Sequence, residues 1–140
     1  SPSVRSYNDT VAGDPSFHRV IEAGQPIEPE VVLTMKAMAD ADGWTHALQR
    51  RPDGGGDFVS YRPADLPYAV RWITRSGDQD ALGLVLPATA APDGLAAATR
   101  NGQLIRIEPG SAFRTDFRFG ALDKLGCQNL QSTIETIRGR

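Results

Sequence analysis

The sequence predicts an all-β protein, an antiparallel β-sandwich carrying a short C-terminal helix. Three observations lead there. From Phe17 onward, apolar and polar residues alternate with period two, the mark of strands that bury one face. Clusters of Gly, Pro, Asn and Asp break this alternation about every eight to twelve residues, as the turns of a sandwich or barrel do. At the end the rhythm changes: Cys127, Leu130, Ile134 and Ile137 share one helical face.

Composition sets the limits. A chain of 140 residues holds one domain with a real core, and 40% hydrophobic with 23% charged residues is ordinary for a globular protein. The 14 Gly and 10 Pro stand between apolar runs, so they indicate turns and not disorder. A net charge of −2, with arginines scattered among apolar residues, makes nucleic acid or an anionic membrane a poor partner. The longest apolar stretch, Ala81 to Ala91, is broken by Gly83 and Pro87 and is far shorter than the roughly 20 residues of a membrane helix. Cys127 stands alone, so no internal disulfide forms, which fits a reducing, cytoplasmic location. No secretory leader pattern opens the chain, and the first residue, Ser1, is not an initiator Met, as in a piece of a longer protein.

Taken in order, residues 1–16 are polar and without period, a loose leader. The sandwich is expected over 17–122 and the helix over 123–140. Val31, Leu33, Met35 and Ala37 form one face of a first strand, followed by the turn Asp40-Ala41-Asp42-Gly43. Trp44, His46 and Leu48 form the face of a second, closed by a hairpin turn at Asp53-Gly54-Gly55-Gly56-Asp57. Tyr68, Val70 and Trp72 share a face of a third. Ala81 to Leu86 is apolar at nearly every position, as in a central strand covered on both faces. Glu108-Pro109-Gly110 suits a type II turn. Phe113, Thr115, Phe117 and Phe119 alternate with Arg114, Asp116 and Arg118 in a last strand, and a helix of roughly three turns follows.

The run from Asp65-Leu66-Pro67-Tyr68 through Trp72, then Ala81 to Leu86, Pro87 to Gly94, Gly102-Gln103-Leu104 and Glu108-Pro109-Gly110 resembles the C-terminal half of aldose 1-epimerase-like (galactose mutarotase-like) proteins. The likeness extends over roughly residues 25 to 121, and its force lies in the order of the pieces. It implies part of a larger supersandwich, a short strand at Gly102-Gln103-Leu104, and a sugar ligand. It also implies interconversion of sugar anomers without a cofactor. In that chemistry a carboxylate takes the anomeric hydroxyl proton and an imidazole protonates the ring oxygen. The resemblance puts the carboxylate at the end of the hydrophobic strand, where this chain has Leu86. The imidazole belongs to a half that the chain does not contain.

Candidate site residues follow, each with a plainer alternative. Asp93 is the carboxylate nearest the expected base, or simply the middle of a Pro-Asp-Gly turn. Trp72 stacks on a sugar ring, or fills the core. Arg71 donates to sugar hydroxyls, or lies on a solvated strand face; Arg100 meets an anionic sugar, or is simply exposed. His18 and His46 are too isolated to suggest a metal or a catalytic dyad, and His46 reads as a hydrogen-bonded, half-buried strand residue. Asp40-x-Asp42-Gly43 lacks the later ligands of a calcium loop. Cys127 reads as buried and inert. The expectation is a carbohydrate-binding protein that interconverts anomers when complemented by a missing half, with a non-catalytic sugar-binding or protein-interaction module as the alternative. Open sheet edges predict a homodimer or a partner chain.

Overall fold

The computed structural model describes residues 4–6 and 16–139. The elements are β1 (Val4–Ser6), a single 3-10 turn (Phe17–Arg19), β2 (Ile27–Met35), β3 (Thr45–Arg50), β4 (Gly56–Tyr61), β5 (Tyr68–Ser76), β6 (Gln79–Leu82), β7 (Leu86–Ala88), α1 (Leu95–Arg100), β8 (Phe117–Leu122) and α2 (Lys124–Arg138). All strand pairings are antiparallel, in two sheets. The larger runs β1-β2-β5-β6, with β7 also on β5; the smaller runs β3-β4-β8. Within the stretch expected to be a loose leader, Val4–Ser6 pairs with β2; the rest of 1–15 lies outside the described residues.

Register explains the core. Val31 lies opposite Ile73, Leu33 opposite Arg71 and Met35 opposite Ala69, so these six share one face of the larger sheet. Val31, Leu33 and Ile73 are buried against Phe17, Ile21 and Leu82. Farther along the same face, Ala69 and Met35 meet Tyr61 and Val59 of β4 together with Leu66 and Val85, and there the two sheets pack. Each fully buried Leu or Ile contributes roughly 1.5–3 kcal/mol, so these few positions dominate stability.

The turns form where the sequence puts them. Asp40 accepts from the backbone N–H groups of Asp42 and Trp44 at 2.9 and 2.8 Å, and Gly43 takes a φ of 80°. The hairpin closes through Arg51 N–H to the Gly55 carbonyl at 2.8 Å, and Ser111 N–H closes the Glu108 turn at 2.9 Å. Asp123 caps α2 by accepting from Gly126 N–H at 2.8 Å. The helix buries Cys127 and Ile137 and packs across β3 and β8. It approaches β4 closely enough that a Cβ on Gly56 would sit 3.0 Å from the Cys127 sulfur.

Three elements differ from expectation. Ala81 to Leu86 is not a central strand. It splits into β6 and β7, which share the outer edge of β5, and Leu86 is 62% exposed. Gly83 interrupts the pleat, and its carbonyl turns to accept from Arg71 Nε at 3.0 Å. No strand forms at Gly102-Gln103-Leu104; a turn follows α1 there, and the Gln103 side chain bonds to Tyr68. The last strand begins at Phe117, not Phe113. Phe117 and Phe119 pair with Tyr61 and Val59 and share their inward face. They lie beyond the cover of the larger sheet, 55% and 73% exposed, their rings stacked 5.9 Å apart.

Candidate functional site

The face of the larger sheet turned away from the Val31–Leu33–Ile73 core carries Tyr68, Val70, Trp72 and Thr74 from β5. Opposite them stand Val32 and Thr34 from β2 and Leu86 and Ala88 from β7. Val70, Thr34 and Thr74 are buried there, whereas Trp72 is 41% exposed. Its indole Nε1 donates to the Glu30 carboxylate, which fixes the ring edge and leaves ring surface open. At the other end of the face, the Tyr68 hydroxyl accepts from Gln103 Nε2 at 2.8 Å, and Gln103 Oε1 accepts from Ala91 N–H at 3.3 Å. The Lys36 ammonium stands 5.8 Å from the Tyr68 ring centroid. Two aromatic rings, a carboxylate, an amide and an ammonium thus lie on one sheet face. An open indole flank offers an apolar platform, and the groups around it both donate and accept hydrogen bonds.

The sequence-derived candidates do not all join this face. Trp72 and Leu86 do. Arg71 is on the opposite face, where its Nη1 donates to the His18 carbonyl and its Nε to Gly83. Burial lowers its pKa below the ordinary arginine value. Arg75, four residues on, reaches the Glu22 carbonyl at 2.8 Å, so the pair fastens the 16–26 segment to the sheet. Asp93 is half-buried in the connection from β7 to α1, and Arg100 is the exposed last residue of α1. Sequence reasoning singled out neither Glu30 nor Gln103, nor Tyr68 by itself. The one available signal was parity: Tyr68 and Trp72 are four apart on one strand.

A second polar group lies at the end of the smaller sheet. His46 Nδ1 is 2.8 Å from Ser60 Oγ, and Nε2 is 3.4 Å from Asp40 Oδ2. The order carboxylate, imidazole, hydroxyl is that of a hydrolytic triad, but Ser60 is buried, only 3% exposed. Asp40 is held by backbone N–H groups as well, so the chain joins the β2–β3 turn to β4. Next to it, Trp44 has the guanidinium carbons of Arg62 and Arg118 at 4.6 and 4.2 Å from its ring. Among the described residues no group of three His, Cys, Asp or Glu side chains is close enough to hold a metal ion, and no helix is long and apolar enough to cross a membrane.

Comparison with known proteins agrees with this architecture. The chain is similar to the crystal structure of a "putative aldose 1-epimerase" from Klebsiella pneumoniae subsp. pneumoniae MGH 78578, with a TM-score of 0.80 at 16% identity. The match covers 96% of this chain and 36% of that one, so the chain spans little more than a third of its length. The fold is therefore aldose 1-epimerase-like. No curated protein matches the sequence. A family pattern does match, over residues 2–121, and the chain belongs to that family, the domain of unknown function DUF4432.

Proposed function

We propose that the chain forms one wall of a carbohydrate site, with a sugar ring laid against Trp72 on the open face of the larger sheet. The observation that carries this reading is the indole of Trp72, partly open and held at its edge by Glu30. A pyranose offers an apolar face to such a ring and hydroxyls to Glu30, Tyr68, Gln103 and Lys36. The aldose 1-epimerase-like fold supports a sugar as ligand class. Anomer interconversion requires a base for the anomeric hydroxyl and an acid for the ring oxygen. With aliphatic Leu86 in the place of the expected base, Asp93 or Glu30 would have to remove the proton. The acid would come from a further part of the protein or a partner chain.

A second reading, a sugar-binding module without catalysis, is favoured by Leu86 itself. It is 62% exposed on the same face as Trp72 and has no proton to exchange. A saturation-transfer NMR screen against free aldoses and uronic acids, with anomer exchange followed in the same samples, separates the two. Binding with accelerated exchange that falls in Glu30→Gln or Asp93→Asn supports the epimerase reading. Binding without exchange supports the module. Loss of binding in Trp72→Ala is expected in both, and sugar binding undiminished by that substitution would refute the site.

A further inference from the structure

A cavity of about 160 Å3 lies where the last turns of α2 meet the end of the sandwich. Met35, Ala47, Tyr61 and Val85 form its inner walls, and Ile134 and Ile137 close it from the helix. The cavity opens to the surface on one side, and its lining is almost entirely apolar. Apolar cavities of about 150 Å3 stay dry and take up benzene-sized molecules. Both methionines of the chain, Met35 and Met38, line this one, and the flexible thioether adapts to a guest better than a branched side chain does.

The lining carries two cationic side chains, Lys36 and Arg138. His46 also contributes to it, and no Asp or Glu does. The Lys36 ammonium is engaged over Tyr68, and both ring nitrogens of His46 are bonded to Ser60 and Asp40. Arg138 remains as the cation at the mouth, exposed on the last residue of α2. A helix C-terminus by itself repels an anion, and Arg138 offsets that repulsion at this end. The helix begins at Lys124, beyond the 2–121 span of the family match.

We propose that this cavity binds a small aliphatic monocarboxylate, its chain of about six to eight carbons among the methionines and its carboxylate on Arg138. The site shares Lys36 with the face bearing Trp72 but does not depend on the sugar reading. The test is a methyl-detected NMR titration of the whole chain with octanoate and, as the uncharged control, octan-1-ol. Saturable shifts are expected at the methyls of Met35, Met38, Ile134 and Ile137. Octanoate should bind roughly tenfold more tightly than the alcohol, an advantage that disappears in Arg138→Gln. Filling the void with Ala47→Leu should abolish the shifts, and Ile134→Phe fills it from the helix side should the first variant fail to fold. Absence of saturable shifts at these methyls overturns the proposal. Equal affinity for acid and alcohol in the wild type, or binding undiminished in a folded cavity-filling variant, overturns it as well.

Discussion

Arg71 donates through Nη1 to the main-chain carbonyl of His18, 53 residues earlier in the chain, while its Nε donates to Gly83. One half-buried guanidinium thus ties both the 16–26 segment and the β6–β7 connection to the middle of β5. Replacing it with Met leaves two carbonyls without their charged donor and is expected to cost about 2–3 kcal/mol in urea unfolding. Arg71→Lys should recover only part of this, because an ammonium lacks the planar fork that reaches two acceptors. Hydrogen exchange should quicken first in residues 16–26. Unchanged protection there in Arg71→Met would contradict the tie.

Gly56 is required by contact. A Cβ there would stand 2.8 Å from the Gln49 carbonyl oxygen, 3.0 Å from the Cys127 sulfur and 3.1 Å from Leu48 Cδ1. Gly56→Ala should destabilise the fold by about 1–3 kcal/mol by prising α2 from the smaller sheet. Cys127→Ala in the same chain should relieve part of the cost, since the Gln49 carbonyl still crowds the methyl. A double-mutant cycle measures that coupling, and strict additivity would show that the sulfur is not in the way.

Acid should act through Asp40. Its carboxyl is held below the ordinary 3.8, chiefly by the N–H of Trp44, with smaller help from His46 and the N–H of Asp42, against a partial loss of water. A lowered native pKa favours the folded state above the unfolded value, and this benefit is lost as pH falls through the folded one. The stability gap between wild type and Asp40→Ala should therefore narrow between about pH 5 and about pH 2. A gap constant over that range would remove Asp40 from the account.

Alkali should act through Tyr61. Burial pushes its phenol from 10.0 up to about 12. The native state keeps the proton that the unfolded chain gives up, so stability is full below the unfolded pKa and falls as pH rises towards the folded one. Phenolate absorbance should show a late step near pH 12, and Tyr61→Phe should remove both the step and part of the alkaline loss. A variant that loses stability as steeply as wild type would assign the effect to another group.

The fold was largely legible because alternation is local. β3 and β5 announce themselves in six to nine residues, and the stripe on α2 needs only its own sequence. Ala81 to Leu86 misled because an apolar run reports what a strand tolerates on its faces, while its place in a sheet depends on which neighbours exist. α1, at six residues, is too short to show a period. The candidate site was legible only in Trp72. Its partner Glu30 lies 42 residues away, beyond a register shift between Ile27 and Val31 that no local pattern reveals. Arg71 looked solvated because its two acceptors, the His18 and Gly83 carbonyls, come from the poorly patterned start of the chain and from a break inside an apolar run.

β8 has one further consequence. Among the described residues it is the outermost strand of its sheet, its outer main-chain edge unpaired beside two stacked, largely exposed phenylalanine rings. Such an edge is a template for fibril growth. Within the strand Arg118 stands between Phe117 and Phe119, a charge that penalises stacking an identical strand in register.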